Sequence, residues 1–334
     1  MTEPAPPSFL DSEAVRAALP MAKAIELMDT AMRRYCSGQV TQPLRTIIRP
    51  QTETGLLGTM PCHVAGDEYC GFGLKAMVLR PENPAQGLPL HIGVVMVFDP
   101  DTGAPSAVMD AGAITAIRTA AVSAVATRAL STAGAGDLAI LGAGVQARSH
   151  LEAMAAVRPL RRVRVWNRTH ENAIDYQNWA AAWLDVPVEV MDDPAAALDG
   201  ADLICTTMAT KEPLVEAPWL AAGAHLNAVG GSFADARELT SDAVARTTIV
   251  VDSLESALAE SGDLRHPLQE GLIAQRSVTT QLGEVLLGDR PGRTTDHEIT
   301  LFKSLGLAVE DIMSGLYIAE TLSGATEPGS EGRR

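Results

Sequence analysis

The sequence predicts an α/β protein built from a doubly wound parallel sheet and a second, mixed α+β domain. Three stretches carry that expectation. Residues 138–141 form an apolar run that enters Gly142-Ala-Gly144-Val-Gln-Ala147 and then a helix-like segment at 149–157. Downstream, β-branched runs alternate with helical ones, the rhythm of parallel strands joined by crossover helices. Upstream, short strands are separated by turn residues, as in a mainly antiparallel sheet.

Taken in order, residues 1–8 are Pro-rich and read as loose. Residues 11–37 are helical: Met21, Ile25, Met28, Met32 and Tyr35 recur at alternating spacings of four and three, and Asp11 or Ser12 offers a cap. Strands are expected at 46–48, 55–60, 71–79, 91–99 and 106–109, with a hairpin turn at 99–103. A small-residue helix follows at 115–129, with Thr115 as a possible cap and many Ala residues suited to close packing.

The glycine turn has a specific physical reading. Gly142 permits the sharp bend, Gly144 lets a pyrophosphate approach the backbone, and a small residue at 147 lets helix pack on strand. The helix N-terminus adds free N–H groups and the positive end of its dipole. A second strand, 162–166, begins one helix-length later and completes a βαβ unit of Rossmann type. Its end carries Asn167, Arg168 and Thr169, with the first acid at Glu171. A cation without a nearby carboxylate suits a 2′-phosphate, so NADP(H) is preferred and NAD(H) is possible; alternatively Arg168 is a solvated residue at a strand end. The rhythm continues with a helix at 171–183, a strand at 186–190, a helix at 194–198, strands at 202–206, 225–229 and 248–252, and a last helix at 306–322.

Composition excludes several roles. With 26 basic and 41 acidic residues the net charge is −15, which repels nucleic acid and anionic membranes. The 46% hydrophobic and 20% charged residues describe an ordinary globular protein. No apolar run is long enough to span a bilayer and no signal peptide is present, so a cytoplasmic protein without membrane or nucleic-acid partners is expected. Cys36, Cys62, Cys70 and Cys205 show neither zinc-ligand spacing nor a disulfide framework, and no His/Asp/Glu cluster has metal-ligand spacing.

Three cations stand out. Lys75 is one of only four lysines and lies in GFGLKAMVL, a run expected to be buried. An ammonium there needs an anion, either a protein carboxylate or a substrate. Arg118 lies near the start of the small-residue helix, where its charge opposes the dipole unless an anion is present: cofactor pyrophosphate or substrate carboxylate. The alternative is a surface arginine. Arg45, after Gln42-Pro43, alone would rate as surface. His91 is a candidate proton donor. The loop Asn227-Ala-Val229-Gly230-Gly231-Ser232 follows a strand and suits close approach of backbone to a nicotinamide ring. Asp235 and Glu238 beyond it are either cleft carboxylates or helix caps.

Together, GFGLK, GAITAIRTAAVSAVATRAL, LGAGVQARSHLEAM, VRVWNRTHENA, HLNAVGGSFADARELT and FKSLGLAVED resemble the ornithine cyclodeaminase/mu-crystallin family over about residues 45–311. WNRTHENA and the Ser232 loop resemble the mu-crystallin type, a ketimine reductase using NADPH. The resemblance implies a homodimer with a substrate-binding and dimerisation domain, residues 1–115 with 302–326, and a nucleotide domain, residues 116–301; the Gly-, Glu- and Arg-rich tail at 327–334 is by its own composition expected to be disordered. The resemblance also implies that Arg45, Lys75 and Arg118 hold the carboxylate of an α-amino or α-imino acid beside C4 of the nicotinamide. Cofactor contacts are expected from Thr115, from Gly142, Gly144, Val145 and Gln146, from Asn167, Arg168 and Thr169, and from Thr207, Met208, Val229 and Gly230. Cyclodeaminases of the family carry a catalytic Asp immediately after the two glycines, where this chain has Ser232. That change argues for reduction of a preformed iminium over deaminating cyclisation. An ornithine-type cyclodeaminase with bound NAD and a non-catalytic ligand-binding protein are the alternatives.

Overall fold

The computed structural model describes residues 6–51, 54–208 and 210–325. The chain divides into two compact units, residues 1–118 with 307–334 and residues 119–306. The tail expected at 327–334 and the first five residues lie outside the described residues.

The first unit opens with β1 (Ser8–Leu10), α1 (Ser12–Ala18) and α2 (Met21–Cys36). Ser8, expected in a loose segment, is thus already in a strand. Asp11 caps α1, its carboxylate accepting from Ala14 N at 2.9 Å, and α2 buries the predicted stripe, including Ile25, Met28 and Met32. There follow β2 (Val40–Thr41), β3 (Thr46–Ile48), β4 (Leu56–Val64), β5 (Gly71–Leu79), β6 (His91–Phe98) and β7 (Pro105–Asp110). Among the described residues the sheet order is β1-β7-β6-β5-β4-β2, with β3 also on β4. Only β1 pairs in parallel. The strand β4 continues past Met60 although Pro61 lacks an N–H. Pro61 pairs with Leu74 of β5, and on the other side of β4 it falls between the stretches that pair with β3 and with β2.

The helix α3 (Ala111–Leu130) crosses from the first unit into the second. It begins four residues before the expected start at Thr115, because Asp110 Oδ1 accepts from Ala113 N at 2.6 Å. Thr115 therefore lies inside the helix, donating to Ala111 O at 2.6 Å. By length and composition alone α3 could cross a membrane, contrary to the sequence expectation, but 83% of its most apolar window is buried inside the protein.

The second unit contains β8 (Asp137–Leu141), α4 (Val145–Val157), β9 (Arg162–Trp166), α5 (His170–Ala180), β10 (Val188–Val190), α6 (Pro194–Leu198), β11 (Leu203–Thr206) and β12 (His225–Ala228). It continues with α7 (Ser241–Ala245), β13 (Thr248–Val251), α8 (Leu254–Glu260), α9 (Gly262–Gln269), α10 (Leu282–Leu287) and β14 (Thr300–Lys303). Its strands form one parallel sheet in the order β10-β9-β8-β11-β12-β14-β13. The winding reverses between β8 and β11, the switch point at which such sheets bind ligands. The sequence reading missed β14 and placed residues 302–306 with the first domain. Phe302 and Lys303 instead pair on both sides, with β12 and β13, in the middle of the parallel sheet.

The last helix, α11 (Ala308–Ala325), belongs to the first unit and packs on one face of its sheet. Close approach requires glycine: a Cβ on Gly73 would sit 2.6 Å from Ile312 Cδ1, and one on Gly315 would sit 2.9 Å from Val97 Cγ1. The opposite sheet face is open. The register places Phe9, Phe72, Val78, Ile92 and Val94 on it, all exposed.

Candidate functional site

In the second unit the switch point is shaped by backbone. Gly142 has φ +112° and donates its N–H to Trp166 O at 2.8 Å, and a Cβ there would meet Thr207 Oγ1 at 2.7 Å. Only glycine accepts both conditions. Thr207 in turn donates through Oγ1 to Leu141 O at 3.1 Å. Gly144 is the N-cap of α4 and has no atom within 4 Å of a hypothetical Cβ, so its backbone faces open space. The helix begins at Val145, four residues earlier than expected, with no side-chain cap on its N-terminus. Val145 and Gln146 thereby occupy its first turn, where unsatisfied N–H groups and the dipole favour a phosphate. These features fit a dinucleotide pyrophosphate. Asn167, Arg168 and Thr169 follow β9, with Asn167 Nδ2 donating to Thr169 O at 2.8 Å. Arg168 is exposed.

Glu238 organises the neighbouring strand ends. It is fully buried, and its carboxylate accepts from Thr206 Oγ1 at 2.7 Å, Met208 N at 2.7 Å and Gly230 N at 2.8 Å. Met208 and Gly230, predicted separately, are therefore tied to one carboxylate, with Val229 donating to Thr206 O beside them. Burial and the neighbouring Asp263 push the Glu238 carboxyl up to about 7, against the opposing pull of Lys303. Glu238 is not a helix cap, since Thr240 caps α7. Asp235 is exposed and pairs with Lys211 at 2.8 Å. Ser232 is half-buried in the loop after Gly231.

The first unit holds the charged cluster. Lys75, on the β5 face covered by α11, is 4% exposed, and its Nζ lies 3.0 Å from Asp311 Oδ1. Arg118, in the third turn of α3, is 5% exposed. Its Nε donates to the same Asp311 Oδ1 at 3.0 Å and its Nη1 to Glu310 Oε2 at 2.5 Å. Glu310 also accepts from Leu307 N at 3.1 Å, which fixes the start of α11. Within the protein the anions facing Arg118 are thus two carboxylates, which the sequence reading did not name beside the cofactor or substrate anion it expected. Arg118 is likewise no surface residue. Its Nη2 makes no hydrogen bond among the described residues.

Burial lowers the Lys75 ammonium to about 8, with Arg118 adding to the fall and Asp311 opposing it. Burial also works against the Arg118 charge, but Asp311 and Glu310 outweigh it and raise its pKa. Asp311 Oδ2 is buried without a hydrogen-bond partner. Arg45 is half-buried and immediately precedes Thr46, which pairs with Thr59; the next residue, Met60, pairs with Lys75. The backbone register therefore brings Arg45 within two strands of Lys75. His91 pairs with Leu79 and shares the Lys75 face of the sheet, and burial followed by the Lys75 charge lowers its pKa. Thr115 lies one turn before Arg118 on α3. Glu310 and Asp311 were not singled out from the sequence, although adjacent acids opening a buried apolar helix, AVEDIM, were a usable signal. Among the described residues no group of His, Cys, Asp and Glu has metal-binding geometry.

Comparison with known proteins places this arrangement. The family model described as ornithine cyclodeaminase/mu-crystallin family matches residues 7–326. Ketimine reductase mu-crystallin of Mus musculus is 38% identical over 321 residues, covering 95% of this chain and 98% of its own. The structure of Thermococcus litoralis Delta(1)-pyrroline-2-carboxylate reductase in complex with NADH and L-proline superposes with a TM-score of 0.91 at 34% identity, covering 95% of this chain and 98% of that one. An archaeal alanine dehydrogenase dimer with bound NAD matches with a TM-score of 0.89 at 29% identity, covering 97% and 98%. With a glycine-turn parallel sheet in one unit, a buried two-cation cluster in the other and similarity along nearly its whole length, the chain belongs to the ornithine cyclodeaminase/mu-crystallin family.

Proposed function

We propose that the protein is an NAD(P)H-dependent reductase of α-imino acids and cyclic ketimines, acting in reverse as an amino-acid dehydrogenase. The observation that carries this reading is the buried Lys75–Arg118 pair, anchored on one carboxylate oxygen and leaving Arg118 Nη2 without a hydrogen bond among the described residues. A guanidinium nitrogen left over beside an ammonium suits a substrate carboxylate. Arg45 is the third cation of that set. The ketimine reductase activity of the mouse relative, and the NADH and L-proline held by the Thermococcus litoralis neighbour, support the same chemistry.

Gly142, Gly144, Val145 and Gln146 would hold the cofactor pyrophosphate, and Thr207, Met208, Val229 and Gly230 its nicotinamide end. When bound, the nicotinamide supplies hydride. Lys75 and Arg118 fix the substrate carboxylate, and with it the orientation of the adjacent C=N carbon. An iminium nitrogen already carries its proton, so little acid–base chemistry is asked of the chain; Ser232, in place of the cyclodeaminase Asp, is consistent with that. Arg168, exposed at the end of β9, favours NADPH by pairing with its 2′-phosphate.

The protein acts as a homodimer in this reading. The open apolar face of the first unit's sheet is larger than isolated surface residues account for and suits a two-fold contact with a second copy. Phe72→Glu should convert a dimer into a monomer by light scattering, whereas an unchanged mass would move the interface elsewhere. The catalytic reading is tested by following NADPH and NADH oxidation with cyclic ketimines and with 2-oxo acids plus ammonia or methylamine. Oxidation with an imine and not with the oxo acid alone supports it; silence across the panel, with proline formed from ornithine, would replace it by the cyclodeaminase reading.

A further inference from the structure

Lys75 and Arg118 come from β5 and α3, yet both donate to the same oxygen, Asp311 Oδ1, at 3.0 Å each. Glu310, one residue earlier, takes Arg118 Nη1 through Oε2 and Leu307 N through Oε1. Two cations and two anions are thus assembled on the first turn of α11, all at most 5% exposed. The cations would otherwise repel each other, and burial favours the loss of one proton. Asp311 is itself assigned no contact with substrate or cofactor above; it meets only the cations that would hold the substrate.

We propose that Asp311 is a positioning residue for imine reduction: its Oδ1 keeps Lys75 charged and fixes Lys75 and Arg118 at one point, so that the substrate carboxylate meets a preformed two-cation receptor. Glu310 holds Nη1 of the guanidinium, so that with Nε on Asp311 it is Nη2 that is left for the substrate. The inference rests on the functional reading above and extends it from the cations to the group that arranges them. The groups facing Lys75 are Asp311 and Glu310 from α11, Arg118 from α3 and His91 from β6, with Cys62 of β4 beside Asp311.

The geometry supplies an unusually clean test. Both contacts fall on Oδ1, and Oδ2 has no partner. Asp311→Asn therefore retains an oxygen that accepts both hydrogen bonds while removing the charge, its amide nitrogen taking the place of Oδ2, which no other group among the described residues uses. Asp311→Glu does the reverse, keeping the charge and moving it. The readouts are kcat and KM for a cyclic ketimine across pH 6–10, and calorimetric binding of pyrrole-2-carboxylate, a planar non-reducible probe, over the same range. In the wild type, probe affinity should fall as pH rises through about 8. In Asp311→Asn that fall should move to lower pH by about 1–3 units, the size of effect one adjacent opposite charge exerts. The imine KM should rise at least tenfold, with NADPH affinity unchanged. Asp311→Glu should keep the alkaline limb near its wild-type position while still raising KM, and it serves alone if the Asn variant does not fold. Wild-type limb and KM in Asp311→Asn, or a wild-type KM in Asp311→Glu, would overturn the proposal. Turnover and probe binding absent from the wild type itself would instead overturn the functional reading, and the proposal with it.

Discussion

In the function proposed above, the two units would recognise their ligands by different means. In the second, the glycine turn and the first turn of α4 present backbone N–H groups from one contiguous stretch, Gly142 to Gln146. In the first, Lys75, Arg118, Glu310 and Asp311 arrive from three distant segments and meet as side chains. Backbone recognition survives most side-chain changes and fails where the backbone itself is constrained. A side-chain cluster buried this deeply fails at almost any member, because removing one partner strands another charge in a low-dielectric interior.

The largest break should come from Lys75→Ala. It removes a carboxylate contact and leaves Asp311 facing Arg118 alone, so kcat/KM should fall by at least about 10²–10³-fold, in line with the 2–5 kcal/mol cost of truncating a buried charge pair. NADPH affinity, measured by fluorescence, should stay within about twofold. An active variant would remove Lys75 from the site.

Gly142→Ala attacks the other unit. With φ at +112° and Thr207 Oγ1 2.7 Å from the added Cβ, stability should drop by about 1–3 kcal/mol in denaturant melts. NADH and NADPH should weaken alike. Wild-type binding of both would show that the turn does not contact the cofactor.

The pH dependence of stability sharpens the contrast. The Lys75 ammonium is lowered from 10.5 to about 8 in the folded protein, so between those values the unfolded chain binds more protons. Stability from this group should therefore rise as pH increases from about 8 to 10.5. A Lys75→Met variant should lose that rise in urea melts, and a slope identical to the wild type would contradict the burial of a charged lysine.

The smallest effect is expected at Arg168→Ala. An exposed guanidinium paired with a phosphate contributes about 1–2 kcal/mol, so NADPH should weaken roughly five- to thirtyfold and NADH little. Equal losses would mean that the 2′-phosphate is read elsewhere.

What the sequence revealed follows from the same contrast. β5 was bounded correctly at 71–79 and α6 at 194–198, since alternation and the Asp193-Pro194 start are local signals. The Gly142 turn is likewise local. Lys75 and Arg118 were noticed as misplaced charges, but their partner was not, because Asp311 lies 236 residues from Lys75 and 193 from Arg118. Glu238 was left between a cleft carboxylate and a helix cap for a related reason: a buried carboxylate serving the N–H groups of Met208 and Gly230 leaves no periodic trace. The strand β14 escaped because Thr300–Lys303 is four residues long and contains a lysine, which is fully buried only because Asp263 Oδ2 meets it at 2.9 Å.

The most direct test of the account uses NADPH deuterated at C4 of the nicotinamide, with a cyclic ketimine carboxylate as substrate and mass spectrometry of the product. Hydride transfer to the carbon held beside Lys75 and Arg118 predicts one deuterium at the α-carbon of the cyclic amino acid, with stoichiometric cofactor oxidation. A product without deuterium, or cyclic amino acid formed from ornithine with ammonia released and no net change in cofactor, would contradict it.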